Sequence, residues 1–323
     1  MSNSYKPEGF LIHTSENTEY ISSLAGLERA MMCGKILEAT AILCDENSRL
    51  HVDLYGIRGF IERDECVYTR GGESIKDIAI ITRVGKPVCF KVVSIRHDEH
   101  GPYAVLSRRE AQRECACCYL SDLIEGDIIE SRVTHLESFG AFVDVGCGIS
   151  SLLSIDCISV SRISHPRSRL SVGMNLHTVV KSIDRESGRI FVSLKELLGT
   201  WEENAAELRA GSTVAGIIRS VESYGVFVEL APNLAGLAEL RDSGGSAIIT
   251  PESVGCRAAV YIKSIIPERM KIKLVLIDCS GERVPATALK YYVNTQKVRH
   301  MDRWLYSPEC CSKVTESVFA VGR

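Results

Sequence analysis

Two stretches of this sequence repeat one pattern. Residues 138–155 read SFGAFVDVGCGISSLLSI and residues 223–240 read SYGVFVELAPNLAGLAEL, so an aromatic residue, a glycine, a phenylalanine, a valine and an acid return in the same order. Before each stretch a glycine, Gly126 or Gly211, is followed by alternating apolar residues. Such alternation is typical of a half-buried strand. A repeated unit of short strands and glycine turns predicts a small closed β-barrel.

A third and fainter copy of the unit precedes these two. It begins at Gly34, and its closing strand YAVLSRRE at 103–110 is similar to RIFVSLKE at 189–196. Each unit has a length of about 70 residues, the size of a barrel of four or five strands. The sequence therefore predicts a mainly β protein of three tandem barrels.

Polar stretches with helical spacing separate the barrels. The predicted division is a helical segment at 1–33, barrels at 34–110, 123–197 and 210–278, and a tail at 279–323. Short helical linkers are expected at 107–121 and 194–209, with Trp201 packed against the end of a barrel. The tail is neither repetitive nor of low complexity, and its role cannot be predicted.

Composition restricts the class of protein. A chain of 323 residues is too long for one ordinary core, and an apolar content of 45% predicts a folded protein. The net charge of −3 predicts no general affinity for nucleic acid or membrane. The sequence has neither an apolar run of bilayer length nor a signal-peptide pattern, so we expect a cytoplasmic protein without a membrane partner.

The thirteen cysteines are an odd number and are scattered, which favours reduced thiols over a disulfide framework. One cluster, RECACCYL, contains Cys115, Cys117 and Cys118. A metal site would need a fourth ligand, for which the candidates are Cys310, Cys311 and His300. The spacing is not that of paired CxxC motifs, so a connecting helix that contains thiols is the preferred interpretation, and no cofactor is predicted.

Strand alternation predicts which aromatic residues face outward. If the valines of AFVDV and VFVEL fill the barrels, the residues between them point outward. These predicted outward residues are Phe142, Asp144, Phe227 and Glu229. A bulge at Gly140 and Gly225 would turn Phe139 and Tyr224 to the same side. Two neighbouring rings on a solvent face are suited to stacking unpaired nucleobases.

Local charge supports a nucleic-acid interface. Residues 161–189 contain six basic and two acidic residues, and residues 256–273 contain five basic residues and one acidic residue. Cations beside aromatic rings predict a groove for a single strand. At the aligned positions the first barrel has Ser48 and His51, so it is expected to serve architecture or protein contact.

These residues resemble the S1-type RNA-binding domain, the repeat unit of bacterial ribosomal protein S1, and the whole arrangement is similar to the short S1-like proteins of Gram-positive anaerobes. The phrases FGAFV and IFVSLKE carry the resemblance. It implies three five-stranded OB-fold barrels that bind single-stranded RNA. The RNA-binding residues predicted from the pattern and the resemblance together are Phe139, Phe142, His165, Arg167, Lys181, Asp184, Arg189, Tyr224, Phe227, Lys263 and Lys271.

Three positions depart from the family pattern. Ser154 and Glu239 stand where the family usually has histidine, and Pro267 replaces an acid. A carboxylate at a binding surface repels phosphate, so the second barrel is the expected main site and His165 a candidate substitute for the missing histidine.

The predicted function is non-catalytic binding of single-stranded mRNA at the 30S ribosomal subunit, with no small-molecule substrate. The alternative is a protein adaptor that docks on the ribosome or on an RNA-processing complex, because exposed aromatics also anchor protein interfaces. An enzyme is disfavoured, since none of the motifs GxxxxGK[ST], HExxH, GxSxG and GxGxxG is found in a suitable context.

Overall fold

Three closed β-barrels form the body of the protein. The computed structural model describes residues 5–69, 74–239, 250–284 and 289–319. In every barrel the strands pair in the order first, second, third, fifth, fourth, and the fourth closes onto the first. The third and fifth strands are parallel and all other pairs are antiparallel. This is a five-stranded Greek-key barrel, so the predicted fold class is confirmed.

The strands have the following bounds. The first barrel contains β1 (Leu37–Cys44), β2 (Leu50–Leu54), β3 (Ile57–Ile61), β4 (Pro87–Asp98) and β5 (Gly101–Ser107). The second contains β6 (Ile128–Glu137), β7 (Gly140–Asp144), β8 (Ser150–Ser154), β9 (Asn175–Asp184) and β10 (Arg189–Ser193). The third contains β11 (Thr213–Glu222), β12 (Gly225–Ala231), β13 (Leu234–Glu239), β14 (Cys256–Ile266) and β15 (Lys271–Arg283).

Short helices connect and cover these barrels. They are α1 (Ser15–Ile21), α2 (Leu24–Cys33), α3 (Asp77–Ile81), α4 (Arg108–Cys115), α5 (Ile155–Ile158) and α6 (Trp201–Ala205), and a π-helical turn, Ala116–Leu120, extends α4. A two-stranded sheet in the tail consists of β16 (Arg303–Leu305) and β17 (Glu316–Val318).

The N-terminal helices cover the first barrel. The side chains of Thr14 and Ser23 accept hydrogen bonds from backbone N–H groups and so cap α1 and α2. Ile21, Leu27 and Ala30 are buried with the apolar side chains of the first barrel. The N-terminal helical segment thus consists of two helices, and both pack on the first barrel.

An irregular segment with turns, residues 5–12, lies between the first and second barrels. The carboxylate of Glu8 accepts two hydrogen bonds from the Arg108 guanidinium, at 2.7 and 3.1 Å, and a third from the Cys89 N–H at 3.0 Å. The Glu8 N–H donates to Asp144 Oδ2 at 2.6 Å. Because Glu8 contacts both barrels and is buried, this segment fixes their relative position.

The pH dependence of stability should follow two buried carboxyl groups beside this segment. Burial raises the pKa of Glu38 to about 8 and that of Asp144 to about 7, from ordinary values of 4.5 and 3.8. The folded state thus keeps protons that the unfolded chain has released. We expect this stabilisation to be complete below about pH 4 and to be lost as the pH rises through 7 and 8.

Thermal unfolding at a series of pH values between about 5 and 9 measures this loss. A Glu38→Gln variant stays neutral at every pH, so its unfolding temperature should fall less steeply near pH 8. Glu8 affects stability in a different pH range. The Arg108 guanidinium holds the pKa of Glu8 below its ordinary 4.5, so the stabilisation that Glu8 contributes is lost only in acid. An unfolding temperature that rises steadily from pH 5 to 9 would contradict the assignment.

The second linker and the tail join the second and third barrels. Trp201, Trp304 and Tyr306 are all buried in the apolar cluster of the third barrel. The backbone N–H of Trp201 donates to the backbone carbonyl of Tyr306 at 3.0 Å, and the Tyr306 hydroxyl donates to the backbone carbonyl of Asn233. Trp201 therefore packs against a barrel, as predicted, and the tail completes that contact.

The tail also pairs with the second barrel. The Ile128 N–H donates to the Arg299 carbonyl at 2.8 Å, and the Met301 N–H donates to the Gly126 carbonyl at 3.0 Å. A Cβ at Gly126, whose φ is +99°, would lie 2.4 Å from the Met301 carbonyl oxygen, so this contact requires glycine. Phe319 is buried against the same barrel. The tail is thus a structural bridge between two barrels.

Candidate nucleic-acid interface

The outer face of the second barrel carries two phenylalanine rings at right angles. The Phe139 side chain is 52% exposed and Phe142 is half-buried. Their ring centroids are 6.1 Å apart and their planes meet at 89°. Both rings are outside the barrel, as expected from the sequence. A flat nucleobase can lie on one ring while its edge contacts the other.

The cause of this arrangement differs from the expected glycine bulge. The irregularity in strand register lies in β6, between Val133 and His135, and not at Gly140. Phe139 occupies the two-residue turn between β6 and β7, where strand alternation no longer applies. A Cβ at Gly140 would lie 2.5 Å from the Leu153 carbonyl oxygen. Gly140 is therefore required for close approach of the neighbouring strand.

A histidine that the sequence analysis missed completes this surface. His135 lies opposite Phe142, with ring centroids 6.5 Å apart and an angle of 28° between the planes. The His135 and Phe142 rings are stacked, and the Phe139 ring meets Phe142 edge-on. We call Phe139, Phe142 and His135 the aromatic platform. The bulge breaks the alternation of β6, so the sequence pattern could not place His135 on this face.

A further ring follows on the other side of the platform. Phe191 of β10 pairs in register with Leu152 of β8, which pairs with Phe142. Phe191 is half-buried, whereas Ile190 and Val192 on either side of it are buried. The alternation of RIFVSL is regular and marks Phe191 as outward, although Phe191 was not among the predicted residues.

Several predicted basic residues of the second barrel are available to phosphates. Arg167 and Arg189 are exposed, as is Arg162 of the basic stretch at 161–189, and no ion pair to any of them occurs in the described part of the chain. The Lys181 ammonium lies 3.0 Å from the Cys157 sulfur, and that hydrogen bond raises the pKa of Lys181.

Two other predicted residues have local structural partners. Asp184 pairs with Arg189 in strand register and accepts a hydrogen bond from the Ser187 hydroxyl at 2.5 Å. Hydrogen bonds from Ser187 lower the pKa of the Asp184 carboxyl. His165 Nδ1 accepts a hydrogen bond from the Arg167 N–H at 3.1 Å and so caps a short helical turn. His135 is the histidine that lies against Phe142, and His165 stays a predicted contact.

The third barrel presents a similar pair of rings. Tyr224 is 59% exposed, and its ring centroid lies 6.2 Å from that of Phe227 with an angle of 90° between the planes. A groove of about 450 Å³ beside Phe227 is lined by Glu239, Lys271 and other residues. Ser220 lies opposite Phe227, where the second barrel has His135, so this pair lacks the third ring. Lys263 is exposed on β14.

The two acids of the repeated phrase are not on a solvent face. Asp144 is 2% exposed because residues 5–12 cover it, and it accepts hydrogen bonds from the N–H groups of Glu8, Gly146 and Gly148. The prediction of an outward side chain was correct for the barrel alone. It was wrong for the protein, because another segment packs on that part of the barrel surface.

Glu229 of the third barrel is buried in the same way. It is 4% exposed and accepts paired hydrogen bonds from Arg169 at 2.7 and 2.6 Å and from Arg219 at 2.6 and 3.0 Å. Burial alone would raise its pKa, but the two guanidinium groups hold the pKa below its ordinary value. Arg169 therefore joins the second and third barrels and does not belong to the predicted RNA groove.

The first barrel carries a different aromatic cluster. His51, at the position of Phe142, contacts Phe60 edge-on at 4.8 Å, and Phe60 contacts Tyr103 at 5.5 Å. Arg49 and Arg58 lie over the Phe60 and Tyr103 rings, at 5.6 and 5.5 Å from the centroids. Carboxylates pair with both guanidinium groups. This neutral face is suited less to phosphate than the second barrel is.

The cysteine cluster does not converge on one point. Cys115 is buried, whereas Cys117 and Cys118 are exposed. In residues 5–69, 74–239, 250–284 and 289–319 no three His, Cys, Asp or Glu side chains have the arrangement of a metal site. His300, a candidate fourth ligand, pairs with Asp127 at 2.8 Å.

The described helices include none long and apolar enough to cross a membrane.

The second barrel matches a known family of domains. Residues 122–195 match the family model of the S1 RNA binding domain. The chain is 29% identical over 244 residues to small ribosomal subunit protein bS1 of Leuconostoc lactis, covering 72% of this chain and 55% of the relative. It is 32% identical over 215 residues to a bS1 homolog of Bacillus cereus, covering 64% and 53%.

A third relative is similar over a longer range. The bS1 protein of Staphylococcus aureus is 28% identical over 282 residues, covering 85% of this chain and 67% of the relative. The predicted resemblance to the ribosomal protein S1 family is confirmed by these matches. The chain spans about half the length of the Leuconostoc and Bacillus relatives, at 55% and 53%.

Proposed function

We propose that this chain, whose second barrel is an S1-type domain, binds single-stranded RNA through the aromatic platform and acts in translation. In this proposal the platform holds mRNA at the 30S ribosomal subunit. Two findings support the proposal: the S1 RNA binding domain match at residues 122–195 and the similarity to proteins named small ribosomal subunit protein bS1. The binding is sequence-tolerant and requires neither a catalytic step nor a cofactor.

The single observation that carries the proposal is the exposed pair of Phe139 and Phe142. An aromatic ring left on a solvent face loses the stabilisation of burial, which is on the order of 2 kcal/mol for a phenylalanine. Stacking of a base on such a ring contributes about 1–3 kcal/mol. Every base has a flat face, so binding of this kind tolerates different sequences.

The basic residues supply the second part of the interaction. Arg162, Arg167 and Arg189 lie on the same barrel and are exposed, so phosphates can reach them without breaking an ion pair. Lys181, Asp184 and His165 remain proposed contacts of the second barrel. Tyr224, Phe227, Lys263 and Lys271 form the proposed weaker site on the third barrel, where Glu239 repels phosphate.

Salt dependence tests this proposal. Each phosphate neutralised on a single strand changes the logarithm of affinity by about −0.7 per logarithm of salt concentration, so three arginine contacts predict a slope of about −2. We expect this slope for a single-stranded oligonucleotide in a fluorescence titration, and weaker binding of the corresponding duplex. Equal affinity for duplex and single strand would contradict recognition by base stacking.

A second candidate function is protein docking by the first barrel. Ile42 and Leu43 of β1 and Ile78 and Ile81 of α3 are large apolar side chains that are more than half exposed. The Gly85 N–H donates to the Ala41 carbonyl at 2.7 Å, which brings the chain after α3 against β1. Exposed apolar surface of this kind is typical of protein interfaces.

The two candidates differ in one measurement. Association with ribosomal proteins that survives ribonuclease treatment and is lost in an Ile78→Asp, Ile81→Asp double variant would support docking by the first barrel. Association that ribonuclease abolishes in the unaltered protein supports RNA binding as the cause.

A further inference from the structure

A cleft of about 370 Å³ lies between the first and second barrels, beside the aromatic platform. We call it the interbarrel cleft. Both barrels contribute to its lining, which includes Arg83, Lys86, Pro87, Arg132, His135 and Val172. Because residues 5–12 fix the two barrels against each other, the cleft is a constant feature of the fold.

The cleft has an excess of positive charge. Its cations are Arg83, Lys86 and Arg132, and its carboxylates are Glu8 and Asp144. Both carboxylates are buried and already hydrogen-bonded, Glu8 mainly to the Arg108 guanidinium and Asp144 to backbone N–H groups. The Arg108 guanidinium therefore compensates the negative charge of Glu8, and burial, which raises the pKa of Asp144 to about 7, reduces the negative charge there.

The cations keep donors for a ligand. Lys86 is exposed, and the described ranges contain no ion pair to it. Arg132 donates to the Gly9 carbonyl at 3.3 Å and is likewise without a carboxylate partner among these residues. Arg83 lies 3.5 Å from Glu8, a long contact for an ion pair. Several N–H donors on a concave surface are the usual means of binding phosphate oxygens.

His135 connects the cleft to the platform. Its ring stacks against that of Phe142, and the same residue lines the cleft. The Glu137 carboxylate, 2.7 Å from His135 Nε2, holds the imidazole in place. An RNA strand whose base stacks on Phe142 and which continues past His135 would enter the cleft directly.

We propose that the interbarrel cleft binds the phosphates of the RNA strand that leaves the aromatic platform past His135. The proposal rests on the proposed function of the platform and extends it. It gives the first barrel, through Arg83 and Lys86, a part in RNA binding that its own aromatic cluster does not predict. The ligand is the sugar-phosphate backbone, so the cleft lengthens the bound strand without reading its sequence.

Oligouridines of two lengths distinguish binding in the cleft from binding on the platform. One of about four nucleotides covers the platform alone, and one of about sixteen nucleotides reaches beyond it. We expect Lys86→Gln to weaken binding of the long oligonucleotide about fivefold and to make its salt slope shallower by about 0.7, because one phosphate contact is lost. Binding of the short oligonucleotide should be unchanged.

Lys76→Gln is the matched control, because Lys76 is an exposed lysine of the same barrel that does not line the cleft. If Lys86→Gln and Lys76→Gln behave alike on both lengths while Phe142→Ala weakens both, the cleft proposal is wrong and the platform stands. If Lys86→Gln weakens binding of the short oligonucleotide as much as binding of the long one, the cleft is not a phosphate site separate from the platform, and the proposal is also wrong. If Phe142→Ala changes neither length, the proposed function itself fails.

Discussion

Replacing Phe142 with alanine is expected to weaken binding of single-stranded RNA by about 1–3 kcal/mol, the value of one stacked base. The ring lies between Phe139 and His135, at 6.1 and 6.5 Å between centroids, so its loss removes the centre of the platform. Because the ring lies outside the barrel core, the free energy of unfolding should change far less than the binding energy. Fluorescence anisotropy with a short oligonucleotide measures the first quantity, and urea denaturation measures the second.

Matched aromatic variants make this result specific. Tyr55 is 62% exposed on the first barrel, and Tyr55→Ala should leave RNA affinity unaltered. Phe227→Ala removes the corresponding ring of the third barrel and should have a smaller effect than Phe142→Ala, because that site lacks a histidine and contains Glu239. An affinity for RNA that does not change in Phe142→Ala would contradict the platform.

The largest effect on stability is expected at Glu229. Glu229→Gln removes the negative charge between Arg169 and Arg219, which donate to both carboxylate oxygens at 2.6–3.0 Å. Breaking a buried pair in this way costs about 3–5 kcal/mol, since the remaining charge is left uncompensated. We expect the third barrel to unfold at correspondingly lower urea concentration.

Tryptophan fluorescence reports on this barrel alone. The sequence contains two tryptophans, and both Trp201 and Trp304 are buried in the third barrel's cluster. Glu222→Gln is the control, because Glu222 is an exposed carboxylate on the same barrel and its replacement should change stability by at most about 0.5 kcal/mol. Equal unfolding midpoints for the two variants would show that the Arg169–Glu229–Arg219 cluster does not hold the barrels together.

The parts of the fold that were predicted depend on short-range pattern. Alternation places Val143 in the second barrel and Val228 in the third, and both are buried. The same alternation puts Phe142 outside. The glycine of each repeated phrase was predicted to form a bulge. No bulge lies at Gly140. Glycine is needed there because a side chain would meet the neighbouring strand.

The wrong predictions about exposure concern contacts between segments that are distant in sequence. Asp144 is covered by the N-terminal residues, and Glu229 receives Arg169 from the preceding barrel. The tail, for which the sequence suggested no role, pairs with the second barrel at Gly126. One register shift in β6 brought His135 to the platform, and the apolar pattern of the sequence does not reveal it.

The sequence by itself determined that each repeat closes into a barrel and which face of each strand is apolar, because hydrophobic burial acts residue by residue along a strand. Only the tertiary structure decided which polar residues on the outer faces stay in water. Asp144 and Phe142 have the same outward phase, yet one is covered by another segment and the other remains accessible. That difference depends on where separate barrels and the tail pack, and packing between distant segments leaves no periodic trace in the chain.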